Sequence, residues 1–197
     1  MSRVALTAVG TDQPGIVAAL TGVLVDVGCN LEDSTMSILG GQFAVLLVLE
    51  TPTGVDAAGI ETALAPVAER LDLVVVVRPA HRDRTDGAAG AGAGAGAGPE
   101  ADEGRAVEGT TFSFAIHGAD RPGIVHVATT ALADAGGNVV DLGPRLVGPA
   151  DAPTYVMTLV AGFPPDTDAE GAAAAVTAAM AALGVRCVAH RIDIDVL

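Results

Sequence analysis

A stretch of 24 residues occurs twice in this chain of 197, at an offset of 108 and without a gap. Gly10-Thr11-Asp12-Gln13-Pro14-Gly15-Ile16-Val17 leads on to Gly28-Cys29-Asn30-Leu31-Glu32-Asp33, and Gly118-Ala119-Asp120-Arg121-Pro122-Gly123-Ile124-Val125 leads on to Gly136-Gly137-Asn138-Val139-Val140-Asp141. Twelve of the 24 aligned pairs are identical. The identities fall on Gly, Asp, Pro and Asn as well as on apolar positions, which a shared core pattern alone does not demand. The chain is an internal duplication, and what has been copied is mostly a loop and the start of a helix. A period of 108 divides 197 residues into two small domains, 1–78 and 110–197, joined by residues 79–109.

Each unit reads as β-α-β-β-α-β. Residues 3–9 and Thr110–His117 are short, mostly buried strands. Pro14 and Pro122 have the fixed φ that suits a first helical position, so the spacing predicts helices from there to Val27 and Ala135. Apolar residues at 16, 17, 20, 24 and 27, and again at 124, 125, 128, 132 and 135, form one helical face. Gly28 and Gly136 then stop the helices. Second strands start at Asn30 and Asn138, and third strands cover Gln42–Glu50 and Thr154–Phe163, with hairpin turns at Gly40-Gly41 and at 148–153. Matching Phe43 to Tyr155 moves the offset to 112, which makes the second hairpin about four residues longer. Second helices are expected over Asp56–Arg70, kinked or divided at Pro66, and over Asp166–Leu183. Final strands cover Leu73–Arg78 and Val185–Val196. This order is the ferredoxin-like α+β plan, a four-stranded antiparallel sheet with both helices on one face. Ala-Gly repeats from Gly87 to Gly98 mark residues 79–109 as a flexible tether with a mean span of about 30 Å.

Charge narrows the partners. The formal net charge is −14 and all ten basic residues are Arg, spread over both units and the joining segment. Phosphate backbones are held by clustered Lys and Arg, so direct nucleic-acid binding is not expected, nor is attraction to an anionic membrane. No run of 18 apolar residues and no signal-peptide pattern at Met1–Val4 is present, which points to the cytoplasm. Cys29 and Cys187 form no metal or redox spacing and read as thiols in a reducing compartment.

The repeated turn combines three devices. A helix N-terminus exposes unpaired N–H groups and a partial positive charge, so the amides near Gly15–Val17 and Gly123–Val125 can hold a carboxylate. Gly15 and Gly123 permit close approach, and Asp12 and Asp120 beside them can accept from an ammonium. Asn30 and Asn138, eighteen residues further on, add an amide that both donates and accepts. The plainer reading of Asp here is a helix cap, contributing about 0.5–2 kcal/mol. The plainer reading of Asn is tolerance of left-handed backbone. Their joint repetition at fixed spacing favours the ligand reading.

The pattern Gly-x-Asp-[Gln/Arg]-Pro-Gly-Ile-Val, a helix, Gly-x-Asn and a strand resembles the ACT domain, and both units match it. A stand-alone pair is similar to the glycine cleavage system transcriptional repressor family. The resemblance implies a non-catalytic cytosolic regulator that binds a small amino acid and acts on a protein partner, with no cofactor and no metal. In ACT domains the ligand commonly lies between the β1-α1 loop of one domain and the first residues of β2 of its neighbour. Carried over, that implicates Gly10, Asp12, Gly15, Ile16 and Asn30, with Gly118, Asp120, Gly123, Ile124 and Asn138. Arg121, standing where the first loop has Gln13, can pair with a ligand carboxylate. Pairing of the two units within one chain and pairing across a homodimer are both open.

Other readings are less well supported. Formyltetrahydrofolate deformylases and phosphoserine phosphatases carry similar units, but no Asp-x-Asp-x-Thr motif occurs here and His81, His117, His126 and His190 form no nucleophile–base set. Cys29 beside Asn30 is the reactive candidate to test. His117 and His126 lack further ligands for a metal. A purely structural, oligomerising module, or a regulatory subunit of an amino-acid enzyme, remains as an alternative.

Overall fold

The structure is a computed structural model that describes residues 2–80, 109–119, 121–147 and 154–192, with the side chains of 144–147 and 154 left aside. The Ala-Gly segment, the second hairpin turn, Asp120 and the last residues of the final strand lie outside the described residues. The first unit runs β1 (Ser2–Thr11), α1 (Ile16–Asp26), β2 (Asn30–Leu39), β3 (Gln42–Thr51), α2 (Ala57–Leu71) and β4 (Leu73–Ala80). The second runs β5 (Thr110–Ala119), α3 (Ile124–Asp134), β6 (Asn138–Val147), β7 (Thr154–Phe163), α4 (Ala169–Ala182) and β8 (Arg186–Ile192). The strand orders are β2-β3-β1-β4 and β6-β7-β5-β8, all antiparallel where paired. Both units are ferredoxin-like.

The hydrophobic stripe of the first helix of each unit does the packing. Ile16, Val17, Leu20 and Leu24 are buried, as are Ile124, Val125, Ala128 and Leu132, while Val27 and Ala135 are half-buried at the margin. With few aromatics, the sheets answer with alternating aliphatics such as Leu6, Leu47 and Leu49, joined by Phe43 in one core and by Phe112, Phe114 and Phe163 in the other. Both helices end as the glycines require. Gly28 has φ 78° and Gly136 φ 76°, and Cys29 N–H reaches Leu24 O at 2.8 Å just as Gly137 N–H reaches Leu132 O at 2.8 Å, the Schellman arrangement. Gly40 and Gly41, at φ 58° and 78°, make the tight β2–β3 turn. The paired registers Gly10–Phe43 and Gly118–Tyr155 carry the shift of offset from 108 to 112.

One local expectation is corrected and another is narrowed. The helices begin at Ile16 and Ile124, two residues after each proline, because Gly15 (φ 87°) and Gly123 (φ 90°) turn the chain through left-handed backbone and become the N-caps. Pro66 does not divide α2, which continues to Leu71. That residue is exposed, so the Thr62 carbonyl it leaves without an N–H partner faces water.

The two units pack against each other. α1 lies on α3, and β2 runs alongside β6 at the edges of the two sheets. Two hydrogen bonds cross this contact between positions that are 108 apart: His126 Nδ1 with Ala18 O at 3.2 Å, and Ser34 Oγ to Leu142 O at 3.1 Å. Equivalent positions of a duplicated unit touch only where a local two-fold axis passes between them. The pair is a pseudo-symmetric dimer.

Candidate functional site

A two-fold pair has two equivalent clefts, and both are present. One, about 250 Å³ including its open mouth, is lined by Asp12, Gln13, Gly15, Ile16, Val17, Ala18 and Phe43 of the first unit and Thr129, Gly137, Asn138 and Val139 of the second. The other, about 350 Å³, is lined by Arg121, Gly123, Ile124, Val125, His126 and Tyr155 of the second unit and Thr21, Leu24, Val25, Cys29, Asn30, Leu31 and Leu49 of the first. Each joins the turn before one unit's first helix to the start of the other unit's second strand. The interior of each admits only about one water.

Asp12 is the informative side chain. Asp56 and Asp168 cap α2 and α4 in the ordinary way, accepting from Gly59 N at 2.8 Å and Gly171 N at 2.9 Å. At α1 and α3 the N-cap is a glycine with no side-chain cap bond. Asp12 instead accepts from Asn138 Nδ2 of the other unit at 3.0 Å, while its backbone N–H is held by Gly41 O at 2.9 Å. The carboxylate thus reaches across the interface. Asp12 and the first turn of α1, Ile16 to Ala18, line the same cleft, which sets an acid beside helix-start amides.

The sequence-nominated residues divide into three groups. Asp12, Gly15, Ile16 and Asn138 come together in the smaller cleft, and Asn30, Arg121, Gly123 and Ile124 in the larger. Gly10 and Gly118 line neither cleft. A Cβ on Gly10 would stand 2.7 Å from Asp72 O, and one on Gly118 would stand 3.1 Å from Val185, so both glycines admit the strand beside them. Asp120 lies outside the described residues. Arg121 donates to Leu183 O at 3.0 Å, at the C-terminal end of α4, and Gln13 donates to Leu71 O at 3.1 Å, at the end of α2. The Gln/Arg difference therefore preserves one structural role, tying the loop to the last turn of the second helix, where a cation is also favoured.

Other lining residues were not singled out from the sequence as ligand contacts. Thr21 and Thr129 are buried and donate to Val17 O and Val125 O at 2.7 and 2.9 Å, which leaves hydroxyl lone pairs toward the clefts. Their signal was present, since the same Thr stands at the same helical position in both copies. Phe43 and Tyr155 form matching walls. Burial raises the Cys29 thiol above its ordinary pKa and disfavours the thiolate. Among the described residues no three His, Cys, Asp or Glu side chains are grouped to hold a metal, and no helix is long and apolar enough to cross a membrane.

Comparison with known proteins relates part of the chain to described families. The family model described as "ACT domain" matches residues 2–78. The glycine cleavage system transcriptional repressor of Escherichia coli (strain K12) is 36% identical over 73 residues, which make up 37% of this chain and 38% of the repressor's own length. The UPF0237 protein MK1213 of Methanopyrus kandleri is 31% identical over 84 residues, 42% of this chain and 91% of that protein. An ACT domain protein from Streptococcus pneumoniae aligns structurally over 40% of this chain and 89% of its own, at 22% identity and a TM-score of 0.37, a similarity too distant to bear on function.

Proposed function

The chain belongs with the UPF0237 proteins and its residues 2–78 match the ACT domain, and on that premise we propose that it is a non-catalytic, cytosolic sensor of a small amino acid. The observation that carries this reading is the Asp12–Asn138 hydrogen bond of 3.0 Å, which joins the loop before one unit's first helix to the first residue of the other unit's second strand. An α-ammonium is a stronger donor to Asp12 than a neutral amide and takes the place of Asn138. The α-carboxylate then takes the first-turn amides beyond Gly15, and the released Asn138 amide is free to bond the same carboxylate. The second cleft offers the same parts through Gly123, Ile124 and Asn30, with Asp120 proposed as its acid.

Because the interior of each cleft has room for only about one water, occupancy must part the loop of one unit from the strand of the other. The ligand therefore binds one arrangement of the units more tightly than another, and the typical coupling of about 1–3 kcal/mol is what a regulator requires. With ten Arg against 24 acidic residues, the output is exerted on a protein partner and not on nucleic acid. Likeness of one unit to the glycine cleavage repressor motivates glycine or serine as first ligands to try and control of amino-acid metabolism as the setting. A thermal-shift screen against the proteinogenic amino acids tests this. Stabilisation by glycine, serine or another small amino acid that diminishes in Asp12→Ala is expected. A flat response at millimolar ligand overturns it.

A further inference from the structure

The local two-fold axis between the units is imperfect where it matters most. In a symmetric pair the residue on the axis meets its own copy. Here position 18 of the unit is Ala18 in one copy and His126 in the other, and the neighbouring position one turn on is Gly22 in one and Thr130 in the other. The ring of His126 lies on Gly22, where a Cβ would stand 3.0 Å from Cε1. Its Nδ1 is 3.2 Å from Ala18 O and 3.4 Å from Thr130 Oγ1. A carbonyl only accepts, so Nδ1 carries the proton and donates to Ala18 O. That carbonyl lies one helical turn before Gly22 and is reachable because no side chain at 22 covers it.

We propose that this asymmetric contact makes the first unit select the second unit, and not another copy of itself, as the partner of its α1–β2 surface. Two copies of the second unit would set His126 against His126 and place Thr130, a β-branched residue, where the ring now finds Gly22. They would also lose the Ser34 Oγ–Leu142 O bond, since Leu142 has no hydroxyl. Two copies of the first unit would set Ala18 against Ala18 and Gly22, leaving the notch unfilled and Ala18 O without its ring donor. The heterotypic pair alone seats the ring in the notch with Nδ1 on Ala18 O. The lock sits on the α1–α3 helix pair and does not depend on any ligand.

The test uses the full chain, folded first and then cut at a protease site placed in the Ala-Gly segment between Gly87 and Gly98. Native mass spectrometry and size exclusion should find the fragments as a 1:1 complex of one first and one second unit. Gly22→Leu fills the notch and is expected to weaken the fragment complex at least tenfold. His126→Ala added to Gly22→Leu removes the ring and restores most of that loss. Should Gly22→Leu fail to fold, the four-fold exchange Ala18→His, Gly22→Thr, His126→Ala and Thr130→Gly decides, because it moves the same lock to the other side of the axis. Pairing within threefold of the native chain supports the proposal. Homodimers of either fragment after cleavage, an unchanged complex in Gly22→Leu, or a four-fold exchange that no longer pairs would overturn it.

Discussion

The two clefts use ten equivalent positions of the duplicated unit, and they divide evenly between identity and difference. Thr21/Thr129, Asn30/Asn138, Gly123/Gly15, Ile124/Ile16 and Val125/Val17 are the same in both. Cys29/Gly137, Leu31/Val139, Arg121/Gln13, His126/Ala18 and Tyr155/Phe43 differ. The identical five supply backbone amides, a left-handed turn, a hydroxyl and a carboxamide, the parts that the proposed reading assigns to the main-chain groups of an amino acid. The differing five supply side-chain character, and the polar or bulkier choice falls in the larger cleft. The backbone-bearing half of the lining has been kept between the two copies, and the side-chain half has separated.

The widest effect should come from the shared backbone. Gly15→Val and Gly123→Val force β-branched residues into φ 87° and 90°, and each is expected to lower unfolding stability by about 1–3 kcal/mol in urea titrations. Equal losses would support equivalent loops; a loss at one alone would break the comparison. Next, Asn138→Ala removes the donor to half-buried Asp12 and should cost about 1–2 kcal/mol, measurable as a lower midpoint of denaturation. Smaller again is the exchange Gln13→Arg with Arg121→Gln. Both side chains reach a helix-end carbonyl, so stability should stay within about 0.5 kcal/mol while the affinities of the two clefts shift toward each other.

The smallest effect concerns Cys29 and Cys187. Burial raises both thiols above 9.0, so the folded chain holds protons that the unfolded chain releases, and stability falls as pH rises through and beyond 9. Cys29→Ala with Cys187→Ala should flatten that fall in thermal melts taken between pH 8 and 10.5. A slope identical to that of the native chain would remove the thiols as its cause.

Much of this was legible in residues. The alternation of apolar positions, the stop glycines Gly28 and Gly136, and the Gly40-Gly41 turn gave the α+β order directly, because each reflects a local backbone demand. Pro14 misled at the helix start, since the sequence gives no measure of the left-handed turn that Gly15 makes after it. Gly10 was nominated through the ACT resemblance, and its packing against Asp72, 62 residues away in the chain, is a contact that sequence spacing does not display. The clefts themselves were invisible in the residues alone. A period of 108 says that there are two copies, but only contacts such as His126–Ala18 say how the copies face each other. The ACT resemblance supplied the loop-to-strand arrangement that no periodicity could.

Isothermal calorimetry on the intact chain tests the central claim, that each cleft is an amino-acid site shared by a loop of one unit and an asparagine of the other. The account predicts two unequal binding events per native chain for a small amino acid, with one lost in Asn138→Ala and the other in Asn30→Ala. Binding whose stoichiometry and affinity are the same in the native chain and in both variants would contradict it.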